Sequence, residues 1–594
     1  MNSLHTQQII FTDKAQCRDC YKCLRACPVK AIKMHNGQAF VVEERCILCG
    51  NCIRVCPQSA KKYRRDIDKA RELLKSGRKT AVSIAPSYAA AYERWETLRL
   101  PSALRRLGFD FIGETSIGAY ETAQHTAEII SQDVTKTHLC TACPVLVNCV
   151  EKYHGGYVGL LVNSVSPMVA HAKSLKKQLG EETAVVFIGP CIAKKGEAER
   201  ASSTGLIDAV LTFEELNEWL AEEQIELKLC EESGFDEKPV SAAALFPLLG
   251  GLIKTADLPT DMHSVESITV SGSIEIEDVF QYIEDGRPLV VEGLYCQQGC
   301  INGPGMKTDK SLLERKLDII KHASAIETKT PERRLTGEEL YAAFTERPIK
   351  DEAPISEDKI REVLRKTGKE SEHDMLNCGA CGYTTCREKA IAVIHGYAEL
   401  EMCIPYVRKL AQQRTDKIIE TSPNGIVILD EQLEILTMNP AFAKFFCCNE
   451  ALIGKRISNL MDPEPFEKLA LSSDEMSEAI INHQKFNFTA HQKMYKMRDD
   501  TDEAKTQIVG IFVDISNSIA DKNKLDSLRS KTLMQAQDLL DHQINMAQEL
   551  AKFLGESTAR GEELVENLFK LTDDEEKTSR AQKENWIWKT YSSK

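Results

Sequence analysis

The sequence predicts a multidomain chain of α/β and α+β architecture, and three observations carry that prediction. A four-cysteine run near the N-terminus occurs twice, 29 residues apart. From Thr80 to Leu220, short apolar runs alternate with helical stretches, and one run leads straight into a cysteine loop. From Ile418 onward the cysteine groups give way to apolar runs such as Ile426–Leu429 and Val509–Ile515.

Length and composition set the frame. A chain of 594 residues has room for several domains, and 42% hydrophobic content is ordinary for globular cores. The net charge of −14, with bases interleaved among acids, argues against a nucleic-acid-binding surface. No run of 18 apolar residues occurs, and Met1–His5 lacks a basic-then-apolar pattern, so no membrane insertion and a cytoplasmic location are expected. The 21 cysteines are spaced as cluster ligands rather than disulfides, which requires a reducing compartment.

Residues 1–62 carry Cys17-x2-Cys20-x2-Cys23-x3-Cys27-Pro28 and then Cys46-x2-Cys49-x2-Cys52-x3-Cys56-Pro57. This repeat resembles a bacterial two-cluster ferredoxin. In that pattern the fourth cysteine of each run serves the other cluster. The resemblance therefore implies one 4Fe-4S cluster on Cys17, Cys20, Cys23 and Cys56, and another on Cys46, Cys49, Cys52 and Cys27. A zinc or disulfide knot is the alternative. A module this small has little core, so its clusters are expected to hold it together.

Residues 63–325 read as an α/β domain. Lys61 to Gly77 is charged and expected to be a helical connector. Ala81–Ile84, Ala184–Ile188 and Ala209–Thr212 read as strands, the last followed by a helix from Phe213. The domain is organised around Cys296-Gln297-Gln298-Gly299-Cys300-Ile301-Asn302-Gly303-Pro304-Gly305. With Cys143-Pro144 and Pro190-Cys191 it offers four thiolates, spaced 48, 105 and 4 residues apart, that look like one site built from three loops. Four soft thiolates suit a cubane cluster or zinc. Closed zinc sites usually show two close pairs of ligands, whereas Cys143 and Cys191 stand alone. The glycines are expected to let the backbone approach an inorganic group.

These segments resemble the signature segments of FeFe (iron-only) hydrogenases. Pro190, Cys191, Lys194 and Glu197 meet the family's Pro-Cys-x-x-Lys-x-x-Glu, and Cys296, Cys300, Gly303 and Gly305 meet its Cys-x-x-x-Cys-x-x-Gly-x-Gly. Ala85-Pro86-Ser87 is similar to a further cofactor-contacting loop. The resemblance covers roughly residues 1–310. It implies an H-cluster: a cubane on Cys143, Cys191, Cys296 and Cys300, with Cys300 bridging to a diiron unit that carries CO and cyanide. It also implies that Lys194 donates to a cyanide and that Glu197 lies on a proton path, where the bland alternatives are a solvated lysine and a surface acid. Four positions depart from the family. Ala142 stands where a proton-relaying cysteine is usual, Gly189 and Leu294 where methionines are, and Met168 where glutamine is common. Such changes spare the ligands and alter the shell that tunes potential and proton access. The combination resembles the sensory hydrogenases. Cys140, Cys149 and Cys230 are expected to pack in the core, with Cys140 a substitute relay as the alternative, and Glu199 to be a surface acid.

After a helical stretch from Lys310 to His322, residues 326–356 read as a linker containing one helix. Residues 357–412 hold Cys378-x2-Cys381-x4-Cys386-x16-Cys403, similar to a small helical single-cluster 4Fe-4S domain, with a helix expected from Arg387 to Leu400 and zinc as the rival. Residues 413–518 resemble a PAS sensor domain, from Pro423–Asp430, Ile435 and Asn439 to the closing strand Val509–Ile515. His483 and His491 are expected at the surface and the Cys447-Cys448 pair in packing, with a redox or cluster role for the pair as the alternative. Residues 519–572 read as an amphipathic or coiled-coil helix, with Leu533, Leu540, Ala547 and Leu554 seven apart and Ala536 and Leu550 between them. The polar tail 573–594 holds Trp586 and Trp588.

The expectation is thus an H2-sensing FeFe hydrogenase-like protein with slow turnover, an H-cluster and three further 4Fe-4S clusters. The expected partners are H2 and protons, a redox protein such as ferredoxin, hydrogenase maturation proteins, and a downstream signalling protein or a second copy of the chain. The alternatives are a ferredoxin-coupled catalytic hydrogenase and an iron–sulfur scaffold protein without a diiron unit.

Overall fold

A computed structural model describes residues 8–258, 267–283, 288–327, 332–349, 355–498, 506–516 and six positions between 532 and 543. Leu533, Ala547, Leu550, Leu554 and the tail with Trp586 and Trp588 lie outside the described residues; Ala536 and Leu540 are helical, and Leu540 is exposed. The chain divides into two compact units, 1–399 and 400–594. The division falls within the stretch expected to form a single iron–sulfur domain, so Cys403 opens the second unit.

The first unit begins with two small antiparallel sheets. Ile10–Thr12 pairs with Lys61–Tyr63, and Ile32–His35 pairs with Gln38–Val41. Lys61–Tyr63 was expected to start a helix and is instead a strand. Its alternation buries Lys61 and Tyr63, and the helix is confined to Ile67–Lys75. The next layer is a four-stranded parallel sheet in the order Phe111–Glu114, Thr80–Ile84, Ala184–Gly189, Ala209–Thr212. Its two central strands are buried along their whole length, as near-continuous apolar runs under helices should be. A second parallel sheet orders Ser267–Ser271, Val290–Leu294, His138–Leu139.

Two expected elements differ. The stretch read as a linker packs into the core: Leu335 and Leu340 are buried in the main apolar cluster, Arg334 pairs with Glu237 at 2.6 Å, and Tyr341 bridges to Ser164. Its two core leucines are too few to show a periodicity. The helix expected to reach Leu400 spans Cys386–Ile394. It stops because Gly396 adopts φ +72°, a left-handed geometry that ends helices. The helix after Lys310 is Leu312–Ala325, opened by a reciprocal Ser311–Glu314 capping box.

The second unit contains a five-stranded antiparallel sheet ordered Ile435–Met438, Gly425–Leu429, Thr506–Asp514, Phe488–Arg498, Met476–His483. Asn439 ties its opening together. Its Oδ1 accepts from the Ile426 and Phe442 amides at 2.8 and 2.9 Å, and its Nδ2 donates to the Ile419 and Asn424 carbonyls at 3.0 and 2.8 Å. The core is aromatic, with Phe442, Phe446, Phe466, Phe488 and Phe512 buried together. His483, expected at the surface, stacks on Phe488 at 5.1 Å, because the turn after its strand folds the ring back over the core. His491 pairs with Glu478. Cys448 packs near Met438 and Cys447 is exposed.

Candidate metal centre

Four segments leave parallel strands at their carboxyl ends, where sites of α/β folds gather. Ala85-Pro86-Ser87 follows Thr80–Ile84, Cys191 follows Ala184–Gly189, Cys140 to Cys143 follow His138–Leu139, and Cys296 follows Val290–Leu294. Backbone bonds lock these ends together. Ala85 N–H donates to Ile188 at 2.8 Å, Cys140 N–H to Val291 at 2.9 Å, and Gly305 N–H to Pro190 at 2.8 Å. The glycines of the third segment serve this close approach. A Cβ on Gly303 would lie 2.6 Å from the Pro190 carbonyl, and one on Gly305 would lie 2.7 Å from Thr212.

The arrangement brings Cys143, Cys191, Cys296 and Cys300 within electrostatic reach of one another. Burial, then the Cys143 charge, pushes the Cys191 thiol up to about 11. Cys296 is driven well up by burial and then by Cys191, Cys300 and Cys143; Cys300 is driven up by burial and then by Cys143 and Cys191. Lys194 opposes the rise at Cys191 and Cys300. Buried thiols that resist each other's ionisation fit a positively charged inorganic core, which deprotonates its thiol ligands. Among the described residues no three His, Cys, Asp or Glu side chains are set to hold a single metal ion. Thiolates around a cube each bind a different iron and stand farther apart than those around one zinc.

Around the thiols, Lys194 is nearly buried, and its ammonium donates to Glu197 at 2.6 Å, to Ser166 Oγ at 2.9 Å and to the Ala142 carbonyl at 3.5 Å. Gly189 faces the Phe187 ring, which a Cβ would meet at 2.8 Å, so the aromatic ring occupies space that a larger side chain at 189 would need. Met168, Phe187 and Ala85 share one buried cluster, and Leu294 is buried at the end of its strand. Ser87 is buried and its hydroxyl has no partner among the described residues, which fits a ligand-contacting role beside Pro86. Glu199 is tied to Arg64 at 2.6 Å. Cys140, Cys149 and Cys230 are buried. Sequence reasoning passes over Ser166, and also over Glu292. The buried Glu292 carboxyl accepts from the Leu252 and Ile253 amides at 3.2 and 3.0 Å and is pushed up by burial to about 7.

The repeat near the N-terminus forms two further groups. Cys23 is pushed up to about 11 by burial, and feels Cys20, Cys17 and Cys56. Cys46 is also pushed to about 11, by burial and then Cys27, and Cys49 and Cys52 feel Cys27 as well. Cys49 in turn raises Cys296, which puts the second group beside the main site. The contact is close, for a Cβ on Gly50 would lie 2.6 Å from Pro304. Lys61, which sequence reasoning assigns to a connector, is buried and donates to Thr12 Oγ1 at 2.5 Å and the Ala39 carbonyl at 3.2 Å. It eases ionisation of both Cys23 and Cys52. A third group of thiols, Cys378, Cys381 and Cys386, lies in the loop before the Cys386–Ile394 helix, and Cys403 precedes the helix Ile404–Thr421 of the second unit.

Residues 78–304 match the family model for the iron-only hydrogenase large subunit, C-terminal domain. The chain carries an iron-only hydrogenase-type domain. Residues 9–73 match a 4Fe-4S dicluster domain, 374–405 an Fe-S cluster segment containing Cys378, Cys381, Cys386 and Cys403, and 413–480 a PAS domain. Iron hydrogenase 1 of Clostridium pasteurianum is 25% identical over 280 residues, 39% of this chain and 49% of that protein. The cytosolic Fe-S cluster assembly factor NAR1 of Vanderwaltozyma polyspora is 30% identical over 112 residues, 18% of this chain and 21% of that one. The chain thus spans about half the length of the first relative and a fifth of the second. Among solved structures it is similar to a variant of FeFe-hydrogenase HydA1 from Chlamydomonas reinhardtii, at 16% identity over 48% of this chain and 100% of that one, TM-score 0.41. It is also similar to the PAS domain of BvgS from Bordetella pertussis, at 22% identity over 21% and 98%, TM-score 0.17. No described helix is long and apolar enough to cross a membrane.

Proposed function

We propose that this hydrogenase-like protein is a slow, H2-responsive oxidoreductase that passes electrons through 4Fe-4S clusters toward its PAS module. The observation that carries the reading is Ala142 beside Lys194, within an otherwise complete set of thiols. Cys143, Cys191, Cys296 and Cys300 would hold a cubane, and Cys300 would bridge a diiron unit. When bound, that unit supplies the chemistry of heterolytic H2 cleavage. The chain's own residues do the rest. Lys194 presents a buried ammonium for a charge-assisted hydrogen bond. Glu197 is held by Lys194. The Ala142 methyl neither gives nor accepts a proton.

The test is infrared spectroscopy and H2 turnover of protein matured by the hydrogenase maturation proteins. CO and cyanide bands, about 18 iron per chain and slow turnover are expected. Ala142→Cys should raise turnover, by up to the 10²–10⁴-fold that a positioned acid–base group contributes, or about that much. Full iron with no such bands after maturation overturns the reading in favour of an iron–sulfur scaffold, which the similarity to an assembly factor favours. Fast turnover with association that ignores redox state overturns the sensory part and leaves a ferredoxin-coupled hydrogenase. The signal's recipient, a partner protein or a second copy, is read from association under H2 and under oxidant. A cytoplasmic site of action is part of this proposal.

A further inference from the structure

The segment around Cys378, Cys381 and Cys386 does not hang free in the first unit. It lies on the two-cluster module at the chain's other end. Met34 N–H donates to the Tyr397 carbonyl at 2.9 Å, Asn36 N–H to Glu399 at 2.6 Å, and Arg25 to the Ala380 carbonyl at 3.3 Å. The Arg45 guanidinium sits 4.9 Å from the Tyr397 ring centroid. At the centre of the contact, Gly382 adopts φ +93°, and a Cβ there would lie 2.9 Å from Leu24 Cγ, within the Cys23–Cys27 turn. Only glycine accepts both that backbone angle and that approach.

Next to Gly382, Tyr383 is buried, with 6% of its surface exposed, and its hydroxyl has no hydrogen-bond partner among the described residues. Buried tyrosine hydroxyls normally find partners, and leaving one unpaired is costly. The groups that act on this hydroxyl electrostatically are Cys381, Arg45 and Cys27. Cys27 belongs with Cys46, Cys49 and Cys52, the group that also reaches Cys296. One cluster position therefore adjoins both the hydrogenase-type site and the 374–399 segment.

We propose that Tyr383 joins these two redox sites: its buried hydroxyl donates a hydrogen bond to sulfur of the cluster on Cys27, Cys46, Cys49 and Cys52, and the cluster of the 374–405 segment is reduced directly from there, without passage through the cluster on Cys17, Cys20, Cys23 and Cys56. The sulfurs of a cluster carry negative charge and accept hydrogen bonds, which set its potential. The step is a one-electron transfer. The Cys27 cluster is oxidised by one electron and the C-terminal cluster reduced by one, with no bond broken and no proton moved. The inference rests on the iron–sulfur assignments proposed above, and not on H2 cleavage.

The test uses the full chain carrying its 4Fe-4S clusters but no diiron unit, titrated with dithionite and followed by electron paramagnetic resonance. Tyr383→Phe keeps the ring and removes only the donor. Its iron content should match the parent chain. The midpoint of the Cys27 cluster should fall, by about 59 mV if the reduced form is weakened about tenfold. Reduction of the C-terminal cluster should slow. Gly382→Val should lift the loop off Leu24, slow reduction of the C-terminal cluster, and leave the Cys17 cluster's midpoint in place. An unchanged midpoint and unchanged kinetics in Tyr383→Phe, at full iron content, overturn this inference alone. Loss of C-terminal cluster reduction in Cys20→Ser, with the Cys27 cluster intact, also overturns it. A parent chain with no cluster in the 374–405 segment overturns both this inference and the iron–sulfur reading beneath it.

Discussion

Within residues 9–63 the fully buried large side chains are Ile10, Ile32 and Met34, on strands of three or four residues, Leu24 on a five-residue helix, and Ile47 in a loop. Residues 425–514 instead enclose five phenylalanines, with Phe446 within about 5 Å of Phe442, Phe488 and Phe512, under strands of up to eleven residues. The first region places eight cysteines where the second places aromatic rings. A core of five mid-sized side chains buries too little to offset the entropy of ordering fifty-odd residues, so the small region depends on what its thiols bind. The aromatic region buries enough to stand on its own packing.

The widest separation between them should come from removing iron. Anaerobic chelation should raise amide exchange throughout 9–63, at the strands as well as the loops, and leave 425–514 protected as before. Protection of Ile10–Thr12 and Lys61–Tyr63 that survives complete iron removal would break the comparison. The converse cut is Phe512→Ala. It opens a cavity among Phe442, Phe446 and Phe466 and should cost the PAS module about 3–5 kcal/mol. Urea unfolding followed in the PAS strands should show this loss, while iron content and the spectra of the clusters stay unchanged.

The same contrast governs what could be read from sequence. Short fixed spacings, the mark of a loop that wraps one inorganic core, make the two N-terminal runs, Cys378-x2-Cys381-x4-Cys386 and Cys296-x3-Cys300 stand out, whereas Cys143 and Cys191 stand alone and are picked out only through the family resemblance. The parallel strands were legible because double burial makes Ala184–Ile188 uniformly apolar. What escaped depends on distant partners. Lys61 looks like any charged surface residue until Thr12 and Ala39 close over it. Leu335 and Leu340 look like linker residues until the hydrogenase-type core accepts them. Gly382 and Tyr383 are four and five residues from Cys378, yet nothing local announces that Gly382 meets Leu24 or that the Tyr383 hydroxyl is buried without a partner among the described residues.

Lys61 sharpens the comparison at a smaller scale. A buried ammonium near both thiol groups stabilises the extra negative charge of each reduced cluster. Lys61→Met, similar in length, should move both ferredoxin clusters to more negative potentials, by about 1–2 kcal/mol per electron at an effective dielectric near 20. Redox titration should find the two shifts together. A shift of one cluster alone would show that the lysine serves a single site.

The smallest effect lies in the aromatic region and concerns pH. His483 stacks on Phe488 and meets Phe446 edge-on at 5.1 Å, and its Nε2 has no partner among the described residues. Burial lowers its proton affinity in the folded state below the ordinary histidine value of 6.5. The unfolded chain therefore binds the proton more readily, and the PAS module should keep its full stability above about pH 6.5 and lose part of it as the pH falls below that value. Because the ring is only half-buried, solvent screening should hold the loss below about 1 kcal/mol. His483→Phe keeps the stacking and removes the titration. Its thermal midpoint, compared with that of the parent chain at pH 7.5 and 5.5, should match or exceed it at the lower pH and change less between the two. An equal slope in both proteins would assign the acid sensitivity to another group and leave His483 as packing alone.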